Sequence, residues 1–349
     1  MTIRVGLIGF GLAGSAFHAP FVEAEPRMRL AAVASSRPDA VRERFPDVAV
    51  APDAEALLAD PAIDLVVIAA PNPLHAPLAR AALDRGKHVV VDKPFVADLA
   101  EAQPLIDLAR ERGRVLSVFH NRRWDGDFLT AQRVLREGRL GRVMLAELCW
   151  DRFRPVIKQG WREEAGPGAG LLADLGPHLV DQALRLFGTP DAVAGDVAVQ
   201  REEAAVDDWF ALTLHYGPAR VLLSASTLVA DPRPRFALYG TEGSFVKYGI
   251  DPQEAHLRAG GSVGDARFGD EPAELGGRLT IGAGEPERLP TERGDWRRFY
   301  SGVAAAVLDG APPPVEAAEA LTGLRLIELG RRSAAEGRVL PVQASTGCG

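Results

Sequence analysis

Val5-Gly-Leu-Ile-Gly9-Phe-Gly11-Leu-Ala-Gly14-Ser-Ala-Phe17 places three glycines where an apolar run of strand type gives way to a helix-forming run. Without a Cβ, the backbone can approach a pyrophosphate, and the N–H groups of a helix's first turn attract its oxygens. In a chain with 36 glycines such a triplet alone is a weak signal. Directly behind a first strand it predicts a dinucleotide cradle formed by Gly9, Phe10, Gly11, Leu12, Ala13 and Gly14. The alternative is a tight strand-to-helix turn that binds nothing.

Outward from that stretch, the apolar runs Ile3 to Ile8, Leu30 to Ala34, Ile63 to Ala70, His88 to Val91 and Val115 to Phe119 alternate with helical patterns. This is the rhythm of a parallel sheet with crossover helices. Asp53 and Asp98 stand where helix caps belong, and Gly86 and Gly113 where helices stop. After Asn121 the pattern changes. A helix over Asp127 to Glu137 precedes strand-like runs at Val143 to Trp150, Val193 to Gln200, Trp209 to Tyr216, Arg220 to Leu228 and Arg235 to Tyr239, with connections short enough for antiparallel pairing. Ser262 to Arg293, rich in Gly, Glu and Asp, reads as loops and turns, and helices over Asp295 to Leu308 and Val315 to Arg332 close the chain. The expected class is α/β plus α+β: a Rossmann domain over 1–121, and a substrate-binding and oligomerisation domain on a large, mostly antiparallel sheet over 122–349.

Composition narrows the function. With 40 Lys plus Arg against 47 Asp plus Glu, the 349-residue chain carries a net charge of −7, which disfavours nucleic acid and anionic membrane surfaces as partners. No apolar run approaches the roughly 18 residues of a membrane span. The start reads straight into a strand without the regions of a signal peptide, so a cytoplasmic address is expected. Two cysteines, Cys149 and Cys348, cannot build a disulfide framework or thiolate cluster. The histidines lack metal-ligand spacing, so no metal is expected.

Where the second strand ends, an NAD-preferring protein usually offers an acidic residue to the ribose. This chain offers Ser35, Ser36 and Arg37, which suit the 2′-phosphate of NADP, because guanidinium pairs with its oxygens and stacks on adenine. Asp39 leaves room for NAD, and a Ser cap for the next helix is the structural alternative. Pro71, Asn72 and His75 lie at the carboxyl edge of the sheet, where open parallel sheets bind ligands. They are expected cofactor contacts, with Asn72 as a helix cap the equal alternative. Asp92 and Lys93, before Pro94, end the next strand on the same edge. Lys93 is expected to donate a hydrogen bond to a reacting oxygen, and Asn121 completes the cofactor set.

Gly170-Leu-Leu-Ala-Asp174-Leu-Gly-Pro-His178 supplies a carboxylate and an imidazole four residues apart. If Pro177 starts a helix, His178 stands at its N-terminus, where the dipole disfavours imidazolium and leaves the ring ready to accept a proton. Asp174 would orient it or stabilise the charge that appears. Arg122, Arg123, Trp124, Arg152 and Arg154 bracket the domain junction as substrate contacts, with packing and salt bridges the other reading.

The chain resembles the Gfo/Idh/MocA oxidoreductases on Gly9-x-Gly11-x-x-Gly14, on Asp92-Lys93-Pro94 in place of the commoner Glu-Lys-Pro, and on Gly170-x-x-x-Asp174-x-x-x-His178. The resemblance implies that Lys93, Asp174 and His178 form the catalytic set. Phe119-His-Asn121-Arg122-Arg123-Trp124-Asp125, Asp151-Arg152-Phe153-Arg154-Pro155 and Tyr248-Gly-Ile-Asp251-Pro-Gln-Glu254 are similar to the NADP-dependent scyllo-inositol dehydrogenase branch. The expected function is NADP-dependent hydride transfer to or from a cyclic polyol or sugar. Another sugar, anhydrosugar or sugar acid is the second reading, and a catalytically silent NADP-binding regulator the third. The resemblance also implies a homodimer or homotetramer through the C-terminal sheet.

Overall fold

The computed structural model describes residues 1–157, 163–166 and 168–343. Cys348 lies outside the described residues, and Cys149 is a buried free thiol. Six strands, β1 (Ile3–Ile8), β2 (Met28–Ala34), β3 (Ala49–Ala51), β4 (Leu65–Ile68), β5 (His88–Val91) and β6 (Leu116–Val118), form a parallel sheet of order β3-β2-β1-β4-β5-β6. The order reverses between β1 and β4, the point where such sheets receive dinucleotides. Val5, Leu7, Val66, Val67, Val90 and Val91 are almost wholly buried, as strands covered on both faces must be.

A π-type turn over Ala13–His18 and α1 (Ala19–Ala24) follow the glycine turn; α2 (Pro38–Arg44), α3 (Ala54–Ala59), α4 (His75–Asp84) and α5 (Ala102–Glu111) make the other crossovers. The expected punctuation is present. Asp53 accepts from the Ala56 N–H at 2.8 Å and Asp98 from the Ala100 N–H at 2.9 Å. Gly86 and Gly113 take φ of +72° and +61°, which a side chain would resist. Strand β3 escapes the sequence reading because three small residues carry no period.

His88 opens β5 with its Nδ1 accepting from the Val115 N–H at 3.0 Å. Burial, aided by the Arg114 charge, pushes its pKa from 6.5 down to about 4. The unfolded chain therefore binds this proton first as pH falls. The resulting stability is complete above pH 6.5, is lost between 6.5 and about 4, and amounts to about 2 kcal/mol once partial solvent screening is allowed for. Melting curves at pH 7.5 and 4.5 should show His88→Gln losing less stability across this interval than the parent protein.

The second sheet contains β7 (Val143–Asp151), β8 (Ala192–Ala198), β9 (Trp209–Tyr216), β10 (Ala219–Ser226), β11 (Phe236–Gly240), β12 (Gly243–Lys247), β13 (Gly277–Ile281), β14 (Glu287–Leu289) and β15 (Leu340–Pro341). Their order is β14-β13-β12-β11-β7-β10-β9-β8-β15, antiparallel throughout except for the β7–β10 pair. The helices α6 (Gly126–Glu137), α7 (Leu171–Phe187), α8 (Gln253–Arg258), α9 (Arg297–Asp309) and α10 (Ala317–Glu336) complete the chain. One sheet face is buried through Leu148, Phe210, Leu212, Leu223, Phe236 and Phe245, with Leu172, Leu179 and Val180 of α7 in the same core.

Two segments differ from expectation. The stretch 262–293 contains β13 and β14, in which buried Leu279 and Leu289 stand next to exposed charges over too few residues to be read as strands. Gly277 is needed there because a Cβ would stand 2.3 Å from the Phe245 ring. The helix expected to start at Pro177 begins six residues earlier, at Leu171.

The chain divides into two compact units. The first holds residues 1–124, 252–268 and 295–321; the second holds 125–251, 269–294 and the chain from 322. Where the sequence reading draws one boundary after residue 121, the chain re-enters the first unit twice. Segments re-enter because their apolar side chains, such as Trp296, Phe299 and Tyr300, are buried there: Phe299 meets Phe119 edge-on at 4.9 Å.

Candidate active site

In the first unit the glycines divide the labour. Gly9 has φ +97°, and a Cβ on it would lie 2.4 Å from the Ala69 carbonyl oxygen. A Cβ on Gly14 would lie 2.1 Å from the Gly9 carbonyl oxygen, so this glycine lets the helical run pack on the turn. Gly11 is different: a Cβ there would meet nothing nearer than Arg37 Nη2 at 4.0 Å. Its missing side chain answers no contact within the protein, and the open space beside it fits a pyrophosphate. The Arg37 guanidinium donates to the Phe10 carbonyl oxygen, reaching from the end of β2 across the glycine turn. Ser35 Oγ accepts from the Arg37 N–H at 3.0 Å, while Ser36 is exposed. Neither serine caps α2, whose capping residue is Arg37.

At the edge of β4 the expected contacts separate. Asn72 is buried at 7% exposure and stands inside the short 3₁₀ turn Asn72–Leu74, whose capping residue is Pro71. His75 is 1% exposed, with Nδ1 2.7 Å from the Pro94 oxygen and Nε2 2.9 Å from the Ala70 oxygen. The ring bridges the turn after β4 and the turn after β5, and a neutral imidazole donates to one of the two carbonyl oxygens.

Asp92 and Lys93 follow β5, with a cis peptide between Lys93 and Pro94. Asp92 Oδ1 accepts from the Lys93 N–H at 2.7 Å. Burial raises the Asp92 pKa, but contact with His18 and the fields of His18, Lys93 and His75 outweigh it and hold the group below the ordinary carboxylate range. Asn121 opens a short 3₁₀ helix after β6, Asn121–Trp124, and is 6% exposed. Arg122 is paired with Glu254 and lies 5.0 Å over the Trp296 ring; Arg123 is paired with Glu319 at 2.8 Å, and Trp124 packs edge-on to Phe299 at 5.9 Å. These three serve packing and internal ion pairs.

In the second unit, α7 presents Asp174, His178 and Gln182 at intervals of four residues, which puts them on one helix face. Its start is set from outside. The Leu171 and Leu172 N–H groups donate to Asp207, to its backbone oxygen at 2.7 Å and its Oδ2 at 2.6 Å. Gly170, with φ +90°, lets that carboxylate come close. Pro177 consequently sits inside the helix, and His178 is two turns from the N-terminus. The expected dipole effect on His178 is therefore withdrawn; Asp174 occupies the first turn. An internal proline costs about 3 kcal/mol, offset here by burial of Leu172, Leu175, Leu179, Val180 and Ala183.

His178 is 6% exposed, its ring centroid 6.0 Å from that of Trp150 at the end of β7. Arg152 Nη1 lies 3.5 Å from Asp174 Oδ2. Arg235 lies 4.7 Å over the Trp150 ring, donates to Gln182 and sits 3.5 Å from the buried Asp127. Arg154 leaves the cluster, its side chain exposed. A base, a carboxylate, an aromatic wall and two guanidinium groups thus converge around one helix face. That set can accept a hydroxyl proton and balance the charge it brings.

In comparisons with known proteins, residues 3–120 match the oxidoreductase family, NAD-binding Rossmann fold, and residues 132–343 match the oxidoreductase family, C-terminal alpha/beta domain. The chain belongs to the Gfo/Idh/MocA oxidoreductase family. It is 45% identical over 335 residues to the uncharacterized oxidoreductase YdgJ of Escherichia coli K12, covering 95% of this chain and 96% of that protein. It is 39% identical over 345 residues to the scyllo-inositol 2-dehydrogenase (NADP(+)) IolW of Bacillus subtilis 168, covering 98% and 96%. A solved oxidoreductase structure, yvaA of Bacillus subtilis, superposes with a TM-score of 0.95 at 39% identity over 98% of this chain and 99% of that one. As a Gfo/Idh/MocA protein the chain is an NAD(P)-dependent oxidoreductase with a Rossmann domain and a mostly antiparallel second sheet. No helix among the described residues is long and apolar enough to cross a membrane, and those residues hold no group of metal-ligating side chains.

Sequence reasoning missed Trp150, Gln182, Arg235, His18 and Tyr300. Gln182 was within reach, since it continues the spacing from Asp174 through His178. Arg235 and Tyr300 were not, because no local pattern joins them to residues so far away in the chain.

Proposed function

We propose that this oxidoreductase uses NADP to interconvert a secondary alcohol and a ketone on a cyclic polyol or sugar, with scyllo-inositol the leading candidate. The observation that carries the reading is the shared face of α7, where Asp174 and His178 lie beside Arg152 and Trp150. The dinucleotide, when bound, supplies the hydride acceptor or donor. His178 accepts the hydroxyl proton through a ring nitrogen, Asp174 balances the imidazolium charge, and Lys93 donates a hydrogen bond to the substrate oxygen as it gains negative charge. Ketone reduction uses the same groups in reverse.

NADP is favoured because Arg37 lies over the glycine turn, whereas Asp39, which could serve NAD, is 97% exposed at its side chain and paired with Arg42 at 3.0 Å. The NADP(+) dependence in the name of the IolW relative points the same way. A neutral polyol is favoured over a sugar acid, since Arg122, Arg152 and Arg235 already face carboxylates of the chain. The test is an initial-rate screen of scyllo-inositol, myo-inositol, aldoses and sugar acids with NADP and NAD. Turnover of inositols with NADP, and a fall in NADP preference of about tenfold or more in Arg37→Ala, is the expected result. Turnover of sugar acids alone would overturn the substrate, and an NAD preference the cofactor.

The second sheet's other face bears Leu145, Glu147, Trp209, Ala211, Thr213, Leu222 and Tyr239, none of them fully buried. A second copy of the chain is the proposed cover, and a light-scattering mass equal to the 37.3 kDa monomer would end that idea.

A further inference from the structure

Beneath the carboxyl edge of the first sheet runs a buried line of polar groups that the proposed reaction leaves unused. Tyr300 on α9 and His18 on the π-type turn are both 0% exposed. The Tyr300 hydroxyl is 2.7 Å from His18 Nδ1, and His18 Nε2 is 3.7 Å from Asp92 Oδ2. The His18 ring also packs against Phe119, tilted by 47° with the ring centroids 4.3 Å apart. Asp92 in turn holds the Lys93 N–H. The line therefore ends at the lysine.

We propose that Tyr300 and His18 are positioning residues for Lys93, acting through Asp92 to hold the lysine in place for the substrate oxygen. This rests on the reading of Lys93 as the substrate's hydrogen-bond donor. The direction of the hydrogen bonds follows from chemistry. Burial, with the Asp92 charge behind it, pushes the Tyr300 pKa well above its ordinary value, so the phenol keeps its proton. The Asp92 carboxylate facing Nε2 favours the imidazole proton on that nitrogen, which leaves Nδ1 to accept from the Tyr300 hydroxyl. Asp92, faced by His18, Lys93 and His75, stays ionised. The Lys93 N–H holds the Asp92 carboxylate at 2.7 Å, and the His18 ring nitrogen faces it at 3.7 Å, so the carboxylate stays beside the lysine it serves.

The test has a readout that does not need turnover. Lysine occurs only at positions 87, 93, 158 and 247, so reductive ¹³C-methylation gives a sparse spectrum in which Lys93→Arg assigns the Lys93 signal. Asp92→Asn should lower the Lys93 titration midpoint by about one unit, and Tyr300→Phe by a smaller amount in the same direction. In protein labelled with ¹⁵N-histidine, His18 should show the Nε2–H tautomer in the parent and lose it as the sole form in Tyr300→Phe. Where the parent turns over substrate, Tyr300→Phe and Asp92→Asn should lower kcat about tenfold at unchanged KM for the dinucleotide, and Asp92→Glu should recover most of the loss. An unmoved Lys93 midpoint in Asp92→Asn, or a His18 ring protonated on Nδ1, overturns the proposal. Absence of any turnover in the parent sinks the functional reading instead, and the two resonance experiments still decide this one.

Discussion

Replacing His178 by asparagine is expected to lower kcat by about 10³-fold, within the range a lost general base costs. The side chain is mid-helix and 6% exposed, so asparagine leaves α7 without a proton acceptor but still fills much of the pocket beside Trp150. NADP affinity should stay within twofold, because the glycine turn and Arg37 belong to the other unit. Asp174→Asn should fall between the parent and His178→Asn: it removes the charge opposite Arg152 without removing the base. Initial rates, with NADPH fluorescence titration and a melting curve for each variant, make the comparison. A His178→Asn enzyme within threefold of the parent would show that another group takes the proton.

The second large effect separates two glycines that the sequence motif treats alike. Gly9→Ala forces a side chain into φ +97° and sets its Cβ 2.4 Å from the Ala69 carbonyl oxygen, a backbone atom that cannot move aside without disturbing the end of β4. The expected cost is about 3 kcal/mol, and with it goes dinucleotide binding. Gly11→Ala meets only Arg37 Nη2 at 4.0 Å. Its melting temperature should match the parent's, while NADP affinity falls tenfold or more because the methyl group occupies the approach of the pyrophosphate. Equal NADP affinity in Gly11→Ala and the parent would mean that the open space is not the cofactor's.

The parallel sheet was legible because strands covered on both faces are written as unbroken apolar runs. Its helices were legible because Asp53, Asp98, Gly86 and Gly113 act within one turn of where they stand. The core of the second sheet can be read wherever a strand is long enough to show a period of two, and not at β13 and β14, whose five and three residues are too few to show one. Asp174 and His178 are visible as a pair by spacing, but the helix end expected at His178 stands at Asp174.

What the sequence determined by itself is whatever depends on neighbours in the chain: the glycine turn, the alternation of strand and helix, and the placing of Asp174 and His178 on one helix face. What only the tertiary structure decided depends on residues far apart. Asp207, 35 positions after Leu172, starts α7 early enough to carry Pro177 inside it. Tyr300, 282 positions after His18, meets Nδ1 of that ring, and the carbonyl oxygens of Pro94 and Ala70 flank the two ring nitrogens of His75. A buried polar group must find its partner wherever folding brings one, and that partner leaves no periodic or local trace in the chain.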